Sequence, residues 1–133
     1  LSFGCLPEGS RIDTASGTTA VEDLKAGDRI VGYGGSEVEI AQIHQYKENP
    51  ESSRYITLHV SNGSTVTASP RHRILGKPAA SYVVGDICGS GTVTEIGLLR
   101  GVSRSFDLLT ADAGYRIGGI PVNSMIAEMA GQN

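Results

Sequence analysis

"YITLHVSNGSTVTASPRH", residues 55–72, lies without a gap over "FDLLTADAGYRIGGIPVN", residues 106–123. Tyr55 matches Phe106, Leu58 matches Leu109, Gly63 matches Gly114, Val66 matches Ile117 and Pro70 matches Pro121. Each copy reads as a β-hairpin that turns at its glycine. A second pair strengthens the duplication. "LKAGDRI" at 24–30 and "YVVGDIC" at 82–88 both place an apolar residue three positions before Gly-Asp and then resume a strand. Two β-rich halves related by a pseudo-twofold axis are therefore expected. That symmetry sets His72 and Asn123 at equivalent hairpin ends, where they can converge on one centre.

The rest of the chain agrees with an all-β fold. Glycine is frequent at 18, aromatic residues make up 5%, and tryptophan is absent. Turn dipeptides such as Ser16-Gly17, Gly34-Gly35 and Gly118-Gly119 separate short β-branched runs. Strands are predicted at 10–14, 18–21, 28–33, 37–47, 54–61, 64–69, 72–75, 91–99, 104–111, 114–118 and 120–123. Weak helical patterns occupy 20–25, 77–83 and 124–130.

The 133 residues suit one domain, which buries about two-thirds of its unfolded surface without a metal or disulfide. Hydrophobic residues at 39% and charged residues at 19% fit neither a disordered tail nor a membrane protein. With 14 acidic against 11 basic residues, and no basic stripe, nucleic acid is not an expected partner. No apolar run is long enough to span a bilayer and no signal-peptide pattern opens the sequence. The two cysteines, Cys5 and Cys88, allow one disulfide but show no metal-ligand spacing.

Four short stretches carry candidate chemistry. In "FGCLPEGSRI" the Cys5 thiol follows Gly4, so its sulfur can swing back to the Gly4 carbonyl carbon across a five-membered ring. That N-to-S acyl shift is uphill in an unstrained chain, and needs a thiol deprotonated and a leaving nitrogen protonated. In "VTASPRHRIL" Pro70 forces a bend between Ser69 and His72, which can aim a hydroxyl and an imidazole at one carbonyl. Asp107 sits inside the apolar strand "SFDLL", a costly place for an acid unless it is paired or used. Finally, the Asn123 side-chain amide can attack its own backbone carbonyl to form a succinimide, and Ser124 follows it with a nucleophilic hydroxyl.

Together these stretches resemble the Hint superfamily, the self-processing domain of inteins, bacterial intein-like domains and Hedgehog proteins. Cys5 to Ile12 with "VEDLKAGDRIV" resembles its N-terminal block. Ser69 to His72 resembles its Thr-x-x-His block, and Phe106 to Val122 its C-terminal hairpin. The resemblance implies an all-β, pseudo-symmetric horseshoe with both chain ends at a central cleft. It implies a domain over 5–123, with 1–4 as the remnant of an upstream flank and 124–133 as a downstream one.

By the same resemblance, Cys5 is the nucleophile, His72 donates to the Cys5 nitrogen and Ser69 holds the scissile amide. Thr67 is a second candidate for that hydroxyl role, and Asp107 steers protons. The reaction acts once on the domain's own chain and requires no cofactor or metal. Its partners are the flanking polypeptides, with water, thiols or amines as acyl acceptors. A monomer is expected, localised with its host protein and cytoplasmic by default. The length leaves no room for an inserted endonuclease, and no sterol-recognition segment is visible.

Val122-Asn123-Ser124 departs from the usual His-Asn ending. Ungapped, Asn123 takes the penultimate histidine's place. With one residue deleted it becomes the terminal asparagine and Ser124 completes a junction, which is the preferred register. The alternative function is a Hint-fold spacer or interaction module that has lost its reaction.

Overall fold

The computed structural model describes residues 5–127. Its strands are β1 (Leu6–Pro7), β2 (Arg11–Thr14), β3 (Gly17–Ala20), β4 (Arg29–Val31), β5 (Glu37–Lys47), β6 (Tyr55–Val60) and β7 (Thr65–Ala68), followed by β8 (Arg73–Ile74), β9 (Lys77–Pro78), β10 (Ile87–Cys88), β11 (Gly91–Leu99), β12 (Arg104–Thr110), β13 (Gly114–Ile117) and β14 (Ile120–Asn123). They form an all-β fold of curled sheets in the orders β1-β12-β5-β4, β10-β11-β6-β7 and β13-β14-β8-β9, with β2-β3 as a separate hairpin.

Duplication is visible bond by bond. After each Gly-Asp pair the backbone makes the same reciprocal contacts. Gly27 donates to Ile40 and Ile40 to Asp28, while Gly85 donates to Val93 and Val93 to Asp86, all at 2.8 Å. The Asp28 and Asp86 carboxylates accept the N–H groups of Lys25 and Val83 at 3.0 and 2.9 Å, closing equivalent turns.

Each half lends its long strand to the other. β5 leaves the first half and pairs with β12 from Lys47↔Arg104 to Ile40↔Thr110. β11 leaves the second and pairs with β6 from Leu99↔Tyr55 to Val93↔Val60. One continuous core results, including Leu6, Ile12, Ile30, Ile40, Leu58, Val66, Leu108 and Ile120, all fully buried.

The predicted bounds of β5, β11 and β14 match the structure, and three readings change. Residues 77–83 are not helical: β9 is followed by a 3-10 turn at Ala79–Ser81, since Pro78 supplies extended backbone and no amide donor. The helical pattern at 20–25 shrinks to a 3-10 turn at Val21–Asp23. Helix begins at 125 and continues to 127; the remainder of the predicted 124–130 segment lies outside the described residues.

The first duplicated stretch is the predicted hairpin, with β6 and β7 paired from Ile56↔Ala68 to His59↔Thr65. In the second, the turn forms, with Ala113 N–H on the Thr110 carbonyl at 3.1 Å, but β13 does not pair with β12. β12 lies between β1 and β5, and β13 pairs with β14 instead. The β13–β14 turn needs left-handed backbone at Gly118 and Gly119, with φ of 57° and 79°. The Asp13 carboxylate accepts both of their N–H groups, at 3.0 and 2.7 Å.

Candidate active site

Cys5 enters β1, where Leu6 pairs with Phe106 and Pro7 with Ser105. One residue holds both of its backbone polar groups. Cys5 N–H donates to Ser69 Oγ at 2.8 Å, and Ser69 N–H donates to the Cys5 carbonyl at 2.9 Å. Ser69 is placed for this by β7, which ends at Ala68, and by Pro70, which turns the chain. His72 N–H closes that turn on the Ser69 carbonyl at 3.0 Å.

The turn buries the His72 ring completely. Its Nε2 lies 2.7 Å from the Asn123 backbone carbonyl oxygen. A carbonyl only accepts, so this bond requires the proton on Nε2. The Tyr115 hydroxyl stands 3.2 Å from the same nitrogen and donates to Asp107 Oδ1 at 2.7 Å. Asp107 Oδ1 also accepts Leu108 N–H at 2.9 Å, and Oδ2 accepts Ile126 N–H at 2.8 Å.

Asp107 is 1% exposed, and burial pushes its carboxyl up to about 7, against the hydrogen bonds from Tyr115, Ile126 and Leu108 that favour ionisation. Tyr115 is raised well above the ordinary tyrosine range, first by burial and then by the negative charge of Asp107. The Cys5 thiol contributes to the raised hydroxyls of Tyr46, Tyr55 and Tyr115, after burial in each case, so the sulfur belongs to the same neighbourhood.

At the other junction, Asn123 ends β14 opposite Gly114. Its side-chain Oδ1 accepts Gly76 N–H at 2.8 Å. Ser124 is fully buried, with its N–H on the Ala113 carbonyl at 2.8 Å and its Oγ accepting Ala127 N–H at 3.3 Å. That Oγ bond makes it the cap of the helical turn that follows.

The structure thus brings Cys5, Ser69, His72, Asp107 and Asn123 into one connected set. The resemblance assigned His72 to the Cys5 nitrogen; the Nε2 bond goes to the Asn123 carbonyl, and the Cys5 N–H meets Ser69. Thr67 stands apart, its hydroxyl sharing a 2.9 Å bond with Thr57 across the hairpin. Gly4, with the rest of 1–4, and 128–133 lie outside the described residues. Among the described residues Cys5 and Cys88 form no disulfide.

Tyr115 escaped sequence reasoning because a tyrosine in an apolar strand reads as core. Asp107 was the available signal: a buried carboxylate asks for a buried donor, and Tyr115 is the hydroxyl on the next strand. Beside Ser69 opens a cavity of about 290 Å³, lined by Glu48, Ser53, Tyr55, Pro70 and Arg71 among others. No helix among the described residues is long and apolar enough to cross a membrane.

A bacterial intein-like domain from Clostridium thermocellum has a similar fold. It superposes with a TM-score of 0.75 at 17% identity, over 90% of this chain and 97% of the other. A DnaB intein from Synechocystis gives 0.75 at 17% identity, over 91% and 98%. The gp41-1 intein gives 0.73 at 14% identity, over 92% of this chain and all of its own. No curated protein sequence matches the chain. The family model described as Hint domain matches residues 4–87, more than half of the length. Sequence match and curled, duplicated β-fold coincide: the chain belongs to the Hint domain family.

Proposed function

We propose that this domain processes its own chain, cutting at Gly4–Cys5 through a thioester and after Asn123 through a succinimide. The observation that carries this reading is the four-residue turn 69–72. Its first residue holds the Cys5 N–H and its last holds the Asn123 carbonyl, so one turn serves two junctions far apart in sequence.

At the first junction the Cys5 sulfur attacks the Gly4 carbonyl carbon, and the bond to the Cys5 nitrogen breaks. As that nitrogen becomes pyramidal it needs a proton, and the Ser69 hydroxyl, 2.8 Å away, can relay one, giving its own and taking another from water in the adjoining cavity. Asp107, poised at about 7, is suited to take up the thiol proton near neutral pH. Water, a thiol or an amine then releases the acyl group, with the cavity beside Ser69 as the approach.

At the second junction the Asn123 side-chain nitrogen attacks its own backbone carbon. The Nε2–H of His72 stabilises the charge that develops on the carbonyl oxygen. Gly76 N–H on Oδ1 fixes the side-chain amide. The Ser124 nitrogen leaves as an amine. Because Ser124 Oγ is buried and caps the following turn, cleavage is favoured over capture of the acyl group and ligation.

Mass spectrometry of the chain with a tag on each flank tests this. Thiol-dependent loss of the upstream flank is expected, abolished by Cys5→Ala and slowed by Ser69→Ala. Loss of the segment after Asn123, blocked by Asn123→Ala, is expected at the other end. A mass unchanged with and without dithiothreitol would instead identify a folded module without a reaction.

A further inference from the structure

We propose that Tyr115 is a positioning residue for cleavage after Asn123, holding the Nε2 proton of His72 on the Asn123 carbonyl by keeping its own hydroxyl proton on Asp107. The proposal rests on the reading of Asn123 as a self-cleaving junction and adds a residue to it.

The geometry runs through three consecutive bonds. Asp107 Oδ1 accepts the Tyr115 hydroxyl at 2.7 Å, Tyr115 Oη stands 3.2 Å from His72 Nε2, and Nε2 stands 2.7 Å from the Asn123 oxygen. A hydroxyl has one proton to give. While Asp107 is ionised that proton stays on the carboxylate, so Tyr115 turns only lone pairs toward the ring. Nε2 then faces two acceptors, the Asn123 carbonyl and the Tyr115 hydroxyl. An imidazole with its single proton on Nδ1 would set a third lone pair against both. Tyr115 therefore reinforces the tautomer that polarises the Asn123 carbonyl, as an anchored partner fixes the tautomer of other functional histidines.

Once Asp107 is protonated, the constraint relaxes. The carboxyl can donate to Tyr115 Oη, the phenol can turn its proton to Nε2, and the ring loses its obligation to Asn123. No covalent bond to substrate is made or broken by Tyr115 itself, and its hydroxyl ends the reaction as it began. The titratable groups around the Asp107 carboxyl come from several elements. They are Tyr115 on β13, Cys5 before β1, His72 behind Tyr115, and Tyr46 and His44 on β5, where His44 is the register partner of Asp107. Among them, Tyr115 bonds to both the carboxyl and the ring.

The test uses the full chain with both flanks tagged, in wild type, Tyr115→Phe and Asp107→Leu. Cleavage after Asn123 and thiol-induced cleavage at Cys5 are followed by mass spectrometry from pH 6 to pH 8.5. Tyr115→Phe is expected to lower the ratio of the first rate to the second by at least tenfold. An unchanged ratio in folded Tyr115→Phe overturns the proposal.

A second measurement stands apart from cleavage. In ¹⁵N-histidine-labelled Asn123→Ala chain, which keeps the backbone carbonyl and cannot cyclise, the His72 ring is expected as the Nε2–H tautomer at pH 8. With Tyr115→Phe, or with Asp107→Leu, which offers the Tyr115 hydroxyl no acceptor, should the phenylalanine variant not fold, a mixture containing Nδ1–H is expected. Pure Nε2–H in the substituted protein refutes the role of Tyr115. If wild type never cuts after Asn123, the reading of that junction fails, while the tautomer measurement still decides the role of Tyr115.

Discussion

Replacing Asp107 by asparagine should make the pH dependence of stability rotate, so that the two proteins exchange rank between pH 4 and pH 8. The carboxyl rises from an ordinary 3.8 to about 7 on folding because burial disfavours its charge. Between those values the folded state keeps a proton that the unfolded chain releases. Stability from this group is therefore full below pH 3.8, declines as pH rises, and is lost above about 7. The rise corresponds to about 4 kcal/mol across the window.

Asparagine keeps an oxygen for Leu108 N–H and Tyr115, but sets an amide nitrogen against Ile126 N–H, where Oδ2 accepts at 2.8 Å. That orphaned donor costs about 1–3 kcal/mol at every pH. The variant should be less stable by this amount at pH 4, and more stable by about 1–3 kcal/mol at pH 8. Urea unfolding at five pH values, with Cys5→Ala and Asn123→Ala in both proteins to prevent cutting, measures the difference. Exposed acids such as Glu8 and Asp86 cancel in the comparison. Two parallel curves would refute the burial account of Asp107.

Ser69→Ala removes the acceptor of a buried N–H at Cys5, and should lower stability by about 1–3 kcal/mol while slowing thiol-induced cleavage; Ser69→Thr, which keeps a hydroxyl, should recover most of both. Gly114→Ala would bring its methyl 2.5 Å from the Val122 carbonyl and 2.6 Å from Tyr33, so β13 must separate from β14. Loss of about 1–3 kcal/mol in urea, with slower cleavage after Asn123 than at Cys5, is expected. Leu58→Ala, at a fully buried core position facing both hairpin and exchanged strand, should cost about 2–5 kcal/mol in the same assay.

Local chemistry made much of this protein readable. The bounds of β5 and β11 followed from long β-branched runs flanked by turns, and the Gly-Asp pairs marked the duplication. What escaped was decided at a distance. β1, β9 and β10 are two-residue strands too short for any period, held only by partners across the sheet. β13 reads locally as the return arm of a hairpin with β12, yet it pairs with β14, a choice made by the sheet and not by the local sequence.

The site divides the same way. Cys5, Ser69, His72 and Asn123 announce themselves by chemical type and spacing. Which junction the His72 Nε2 serves depends on where β14 ends relative to the 69–72 turn, and no local pattern encodes that.

The pairing of β1 with β12 has a consequence for timing. The residues beside Cys5 find their partners only at Ser105 and Phe106, and the carboxylate beyond them takes its last backbone donor from Ile126. During synthesis the setting of Cys5 thus cannot be completed until nearly all of residues 5–126 have left the ribosome. If the chain cuts itself as proposed, this topology delays scission of a nascent polypeptide.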